Sequence, residues 1–475
     1  MTKSEHKLPL FVDLDGTLIK SNVGLESVLQ LLKQNFLFLF VLPLWALGGL
    51  PALKRNIAER VSLPIAKLPF NPELMEYLRS EHGSGRAITL ISASDQGLVK
   101  QFGEHLGLFD ACIGSTGQIN LKSERKLAHI RSLAGDKFAY AGNARADLPI
   151  WAAATEILAV NCAPGLVDRV PNQSASRRFF DLPGARHLAL LRALRPHQWL
   201  KNGLLFLPLI LSHQLLNGEV LLQAALGVVS FCLCASSVYL ANDLLDLEAD
   251  RSHRSKCKRP LASGELPLEW AFVAAPVLLI LAILLALPLG GQFLLVFAVY
   301  YVTTCLYSLE LKRLFLVDAL VLALLYTLRI VAGSAAIGVI TTDWLLAFSL
   351  SLFLGLALLK RYTELGNLQR DGIEVMPGRA YRAGHRNWLA ALGIVAALLA
   401  IAVFMVYINA SETTVLYSRP LMLWAICPLL LYLLGRIWFC AYRGRLDDDP
   451  ILFAIEDRQS QLALVFSGLL IWLAI

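Results

Sequence analysis

Cysteine occurs eight times, yet no pair has the CxxC or zinc-type spacing. Cys232, Cys234, Cys305, Cys427 and Cys440 fall inside apolar runs, where cysteine behaves as a small hydrophobe. Neither a disulfide framework nor a structural zinc is expected from this pattern. A signal-peptide pattern is lacking too: Met1–Lys7 is polar, and Leu8–Val12 already reads as a buried strand. The charge excess is only +7 over 475 residues, and the basic residues cluster in loops between apolar stretches. That distribution is a topology signal and argues against nucleic acid as a partner. No feature of the sequence speaks to oligomeric state.

Apolar sequence is what the chain has in abundance. Hydrophobic residues make up 56% and mean hydropathy is +0.58, so much of the chain is expected in a bilayer rather than in a globular core. The distribution is uneven: residues 1–185 read as mostly soluble, and residues 203–475 read as repeated apolar spans. Runs fall near 203–217, 219–241, 269–289, 291–308, 315–340, 343–360, 388–408, 419–441 and 459–475. At roughly 20 apolar residues per span, that is about nine helices, the first being the weakest. The loops 242–266, 309–314, 360–387 and 442–458 carry Arg251, Lys258, Lys312, Arg313, Lys360, Arg361, Arg370, Arg382, Arg386, Arg443 and Arg445. The opposite loop Asn409–Ser418 holds none, which puts the basic loops and the soluble front part on the cytoplasmic side of an inner membrane.

One densely charged segment stands between apolar runs: Asn242–Arg259, NDLLDLEADRSHRSKCKR. Asp243, Asp246 and Asp250 fall at i, i+3 and i+7, along one helical face. Carboxylates stacked in this way repel one another unless a divalent cation sits among them, and hard oxygen ligands suit Mg²⁺. Arg251, Arg254, Lys256, Lys258 and Arg259 follow at once, and cations beside such a metal are what a diphosphate needs. Asn242, Asp243, Asp246 and Asp250 are therefore the expected metal ligands. The plain alternative is a solvated, charge-balanced loop. Within the apolar half, ionisable residues are costly. Arg195, Lys201 and Asn202 in LRPHQWLKN either bind an anionic group or anchor the interface with Trp199. Asp318 and Arg329 line a polar cavity or pair with each other.

In the front part, the strand Leu10–Val12 runs into Asp13-Leu14-Asp15-Gly16-Thr17. Two aspartates at the carboxyl end of a strand can serve as nucleophile and proton shuttle around Mg²⁺. This DxDGT string resembles the first motif of the haloacid dehalogenase (HAD) phosphohydrolases. The resemblance implies Ser92, after the strand Ala87–Ile91, as phosphoryl ligand, and Lys126 (less so Lys122) as the neutralising lysine. It also implies Asp147, in Gly142–Asp147, as a metal ligand. Asn143 stands where the family has an acid, which weakens the expected metal site. Phe36–Leu50, broken by Pro43 and Gly48-Gly49, occupies the cap position. It reads as an interfacial hairpin or membrane-facing cap, or else as an ordinary buried cap helix.

NDLLDLEAD is similar to the NDxxDxxxD motif of the UbiA superfamily of membrane prenyltransferases. Together with LRPHQWLKN, YSLELKR before Asp318, LRIVAG and LLKRYTEL, it most resembles the decaprenyl-phosphate phosphoribosyltransferase branch. The resemblance implies a nine-helix bundle that joins 5-phosphoribosyl 1-diphosphate (PRPP) to a polyprenyl phosphate. Arg195, Lys201, Lys360 and Arg361 would orient the lipid phosphate, Lys312 would contact phosphate, and Tyr307 would shape the cavity. A second acidic motif, usual in the aromatic branch, is replaced by Lys360–Glu364 and a solitary Asp371. Polyprenyl diphosphate with an aromatic acceptor is the alternative substrate pair, and a non-catalytic lipid-binding or transport protein the alternative class. The expected fold is a Rossmann-like α/β HAD domain over 1–170, with a cap at about 20–70. A linker at 171–190, containing Ser174 and Pro183, leads to a membrane domain over 191–475.

Overall fold

The computed structural model describes residues 7–116, 120–171, 176–180, 184–370, 372, 374–376, 378–410, 413, 416–446 and 450–474. Ser174 and Pro183 of the linker, and Asp371, lie outside the described residues. The chain divides into two compact units, Met1–Arg195 with Tyr239–Val277, and Pro196–Val238 with Leu278–Ile475.

The first unit holds a six-stranded parallel sheet in the order β3-β2-β1-β4-β5-β6. The strands are β1 (Leu10–Val12), β2 (Ile88–Asp95), β3 (Ala111–Ser115), β4 (Ala139–Gly142), β5 (Glu156–Val160) and β6 (Ser176–Phe180). Alternation along the strands feeds two cores. Leu10, Val12, Ile88, Leu90, Ala139 and Ala141 pack on one face, and Phe11, Ile91, Tyr140 and Trp151 on the other. The winding reverses at β1, so the carboxyl ends of β1, β2 and β4 flank a topological switch point, where open α/β sheets bind ligands.

Three helices are inserted between β1 and β2: α1 (Val23–Gln34), α2 (Phe38–Leu47) and α3 (Leu50–Ala58). Helix α1 is capped by Asn22, whose side chain accepts the Leu25 N–H. Helix α2 is the apolar stretch, and no residue of it is buried. Phe38, Leu42 and Trp45 lean on the sheet core, while Phe40, Leu44 and Leu47 are 63–86% exposed. This corrects the reading of an ordinary buried cap helix. At ten residues, α2 is also too short to cross a bilayer.

The second unit is helical. Among the described residues, seven helices of the chain are long and apolar enough to cross a membrane. They are Gly218–Leu245, Leu268–Leu289, Gly291–Leu309, Val317–Ala336, Asp343–Arg370, Ala383–Ile408 and Pro420–Tyr442. The first expected run is instead broken into a 3₁₀ helix, Pro196–Phe206, and a short helix, Leu207–Leu211, with Pro208 inside the second. The last run forms a 17-residue helix, Arg458–Ala474.

Phe231 meets Phe293, Phe297 and Tyr300 in an aromatic core with ring centroids 4.7–5.9 Å apart. Small residues allow close helix contact, as expected where lipid supplies no hydrophobic drive between helices. A Cβ on Gly333 would stand 2.2 Å from the Leu205 carbonyl oxygen. Gly333→Ala is thus expected to cost roughly 1–3 kcal/mol, read as a lower unfolding midpoint in detergent. Gly435→Ala, where nothing lies within 4 Å of the added carbon, should leave that midpoint in place.

Candidate functional site

At the switch point of the sheet, β1 delivers Asp13 and Asp15 into a connected polar network. The Asp13 backbone N–H bonds the Ala141 carbonyl at 3.0 Å, fixing the carboxyl end of β1 against β4. Lys126, from the helix Glu124–Ala134, places Nζ 2.7 Å from Asp13 Oδ1 and 3.2 Å from Tyr140 Oη. The Tyr140 hydroxyl donates to Asp147 Oδ1 at 2.8 Å. Asp147 Oδ2 accepts the backbone N–H groups of Asn143 and Ala144 at 3.0 and 2.9 Å. Asp15 accepts from Ser92 Oγ at 3.2 Å, Ser94 Oγ at 2.8 Å and the Val23 N–H at 2.6 Å. Asp13, Asp15, Ser92, Lys126 and Asp147, separated widely in sequence, are thereby gathered at one sheet edge. Gly16 has φ +74°, and a Cβ there would fall 1.9 Å from Asn143 Nδ2, so the turn after Asp15 closes directly on Asn143.

Burial raises the Asp13 carboxyl to about 7, against the pull of the Lys126 ammonium. Lys126 is held above the ordinary lysine range: burial works against its charge, but the Asp13 and Asp147 carboxylates outweigh it. Ser94, Tyr140 and Lys54 were not anticipated. Lys54 of α3 donates to the Ala93 carbonyl at 2.7 Å, and burial lowers its pKa. Tyr140 sits in ordinary strand alternation, and no local pattern marks it as polar machinery.

The sign of the Asp13 shift has a measurable consequence. A carboxyl that holds its proton more tightly when folded stabilises the fold at low pH, and this contribution is lost as pH rises through its folded value. In metal-free protein, exchange protection of the β1 and β4 amides should fall between about pH 4 and about pH 7. Asp13→Asn should flatten that dependence; an equally steep fall in the variant would contradict the assignment.

The acidic segment begins inside the apolar helix Gly218–Leu245, which carries Asn242 and Asp243 in its last turn. The helix pauses at Asp246, and a short helix, Leu247–Ser252, follows. The backbone bonds Asp246 N–H to Asn242 and Asp250 N–H to Asp246, both 2.8 Å, keep the helical ladder across the pause. Asp243 and Asp250 therefore stay on one face, both about buried, while Asn242 and Asp246 are half-buried. Arg259 turns back after the 3₁₀ turn Lys256–Lys258. Its Nη1 lies 3.1 Å from Asp243 Oδ1 and 2.5 Å from Asp250 Oδ2. Arg195 pairs with the same Asp243 oxygen and stacks 5.1 Å over the Tyr239 ring. Lys258 is exposed beside them in sequence.

Among the described residues, no three His, Cys, Asp or Glu side chains stand together as a ready metal cage. The donor chemistry still suits a hard cation, since two carboxylates converge on a single cationic nitrogen.

A separate network lies in the second unit. Asp318 Oδ2 accepts from Arg361 Nε at 2.6 Å and from Arg379 Nη1 at 2.8 Å, and Tyr381 donates to its other oxygen. Arg361 also pairs with Glu364 and reaches Tyr307 Oη at 3.2 Å. Arg329 bonds Asn202 Oδ1 at 2.9 Å and Tyr300 Oη at 2.8 Å. Asp318 and Arg329 thus do not pair with each other, which corrects that alternative: each takes a partner from a different element. Arg361, expected to orient a phosphate, is fully buried with two carboxylates on it, and Asn202 is buried against Arg329. Lys201, Lys312 and Lys360 are half-buried. Arg379 and Tyr381 were missed, because a loop after a helix gives no periodicity to mark them.

Residues 204–456 match the model of the UbiA prenyltransferase family. The chain belongs to that family. A Sinorhizobium fredii protein named y4nM is 36% identical over 461 residues, 96% of this chain and 89% of its own length. The UbiA-family match thus lies within a longer likeness that takes in the front domain. The decaprenyl-phosphate phosphoribosyltransferase of Mycolicibacterium smegmatis is 33% identical over 190 residues, 39% of this chain and 60% of that protein. The structure of a UbiA homologue from Archaeoglobus fulgidus bound to GPP and Mg²⁺ aligns at 18% identity with a TM-score of 0.44, covering 60% of this chain and 99% of that one. As a UbiA-family protein with several apolar helices of spanning length, the chain is an integral multi-pass membrane protein, and the family indicates a transferase.

Proposed function

We propose that the chain transfers a 5-phosphoribosyl group from PRPP to a polyprenyl phosphate at the cytoplasmic face of the inner membrane. The observation that carries this reading is the Arg259 nitrogen held between Asp243 and Asp250, with Arg195 on the same Asp243 oxygen. It puts alternating acids and cations at the end of an apolar helix, the charge pattern a diphosphate and its counter-ion require. The likeness to a decaprenyl-phosphate phosphoribosyltransferase supports the donor class.

In the reaction, the bond from ribose C1 to the pyrophosphate oxygen breaks, and its electron pair leaves with pyrophosphate. A lipid phosphate oxygen forms the new bond to C1. Arg195, Lys258 and Arg259 hold the charge that develops on the leaving group. Asp243 and Asp250 keep the two arginines aimed and face the positive charge that grows on the sugar. Mg²⁺, when bound by Asn242, Asp243, Asp246 and Asp250, offsets the charge of the diphosphate.

The front domain is assigned a HAD-type phosphatase role on the 5′-phosphate of the product. Asp13 attacks phosphorus, Asp15 gives a proton to the departing alkoxide, and Lys126 and Ser92 hold the phosphoryl oxygens. Water then cleaves the aspartyl phosphate, with Asp15 taking its proton. Tethering would raise the effective concentration of the product at this site.

Transfer from a polyprenyl diphosphate to an aromatic acceptor is the second reading. It gains no support from Glu364, whose carboxylate is committed to Arg361. In detergent with Mg²⁺, Asp243→Asn and Asp250→Asn should each lower label transfer from PRPP into the lipid fraction by about 100-fold or more. Asp13→Asn should leave a lipid product that keeps its 5′-phosphate. Full transfer by both carboxylate variants would remove the site assignment.

A further inference from the structure

The acidic segment is held by the front domain as well as by its own arginines. Arg251, the residue after Asp250, points its guanidinium to Glu26 of α1, with Nη1 3.1 Å from Oε2 and Nη2 2.6 Å from Oε1. Both side chains are 7% exposed. The Ser21 hydroxyl donates to the same carboxylate, and Arg251 Nε bonds the Ala262 carbonyl at 3.2 Å. Around this pair lie weaker, more exposed links: Lys67 and Lys33 on Glu248 at 3.0 and 3.5 Å, Asn22 on Glu269 at 3.1 Å, and Arg192 on Glu265. Gly264, at φ +74°, packs so closely that a Cβ would stand 2.6 Å from Lys20 Cβ. These contacts lie inside one compact unit. Helix α1 itself starts on Asp15, through the Val23 N–H.

A buried, two-bonded ion pair between residues 225 apart is poor value for stability alone, since desolvation offsets most of its attraction. Its geometric effect is larger. It fixes the short helix that carries Asp250, and so the spacing of Asp250 from Asp243 around Arg259.

We propose that Glu26 is a positioning residue for the transfer site: through Arg251 it sets the register of Asp250, making the front domain a structural part of the transferase whatever chemistry occurs at Asp13. This rests on the reading of the Asp243–Asp250 cluster as the diphosphate site. It adds to that reading a residue outside the membrane helices that governs donor binding.

The test uses the full chain in detergent, with two readouts. The first is kcat/KM for PRPP with polyprenyl phosphate as acceptor; the second is hydrogen exchange over residues 247–262, which needs no turnover. Glu26→Gln should lower kcat/KM for PRPP by about 10–100-fold, the usual effect of losing an outer-shell partner, with the KM for the lipid unchanged. Exchange over 247–262 should rise in the same variant. The charge swap, Glu26→Arg with Arg251→Glu, should recover most of both. Lys100→Ala, on an exposed helix face, serves as the control without effect. Full donor kinetics and unaltered exchange in Glu26→Gln would overturn the proposal. So would raised exchange with donor kinetics intact, because the link would then be structural only. Wild-type protein that transfers nothing from PRPP would sink the functional reading instead, and that outcome is distinct from either of these.

Discussion

A carboxylate at the edge of an apolar environment must be paid for by a nearby cation, and the polar architecture of this chain follows from that requirement. Asp243 and Asp250 share one nitrogen of Arg259. Asp318 takes Arg361 and Arg379, Glu364 takes Arg361 again, and Asp13 takes Lys126. Except for Glu364 and Arg361, which share one helix, the partner comes from another element, so neutralising the acid also fixes that element. Arginine dominates because its planar fork satisfies two acceptors at once and keeps its charge when buried.

The consequence for chemistry differs between these clusters. Around Asp318, that carboxylate and the Arg361 guanidinium are fully covered and cross-link the helices Val317–Ala336 and Asp343–Arg370, while Glu364 and Arg379 keep 21% and 22% of their side-chain surface. Around Asp243 the acids are covered while Arg195 and Arg259 keep 22% and 29% of their side-chain surface. Cations that are aimed by buried carboxylates yet still accessible can exchange one anionic partner for another.

Much of this was legible along the chain, for a definite reason. The aspartates of DxDGT follow a strand, Ser92 and Asp147 sit at or after two neighbouring strands, and a parallel sheet brings such ends together. The acidic face around Asp243 follows from helical spacing alone. What escaped has equally physical causes. Glu26 and Arg251 are far apart in sequence, and neither stands in a periodic pattern that betrays the other. Asp318 and Arg329, eleven residues apart near one helical face, look like partners, but each is drawn to a group from a neighbouring element. The first apolar run has spanning composition, yet Pro208 divides it into two short helices. Helix α2 has core-like composition, yet its outer face stays uncovered.

The central claim is that one chain joins a phosphoribosyl group to a lipid phosphate and then trims the product. The most direct measurement follows purified full-length protein with Mg²⁺, PRPP and polyprenyl phosphate, recording lipid masses over time. The account predicts a polyprenyl phosphoribose 5′-phosphate that appears first and then decays into a species lacking one phosphate. Lipid masses that never change with PRPP, together with a prenylated aromatic acid formed when polyprenyl diphosphate is supplied, would contradict it.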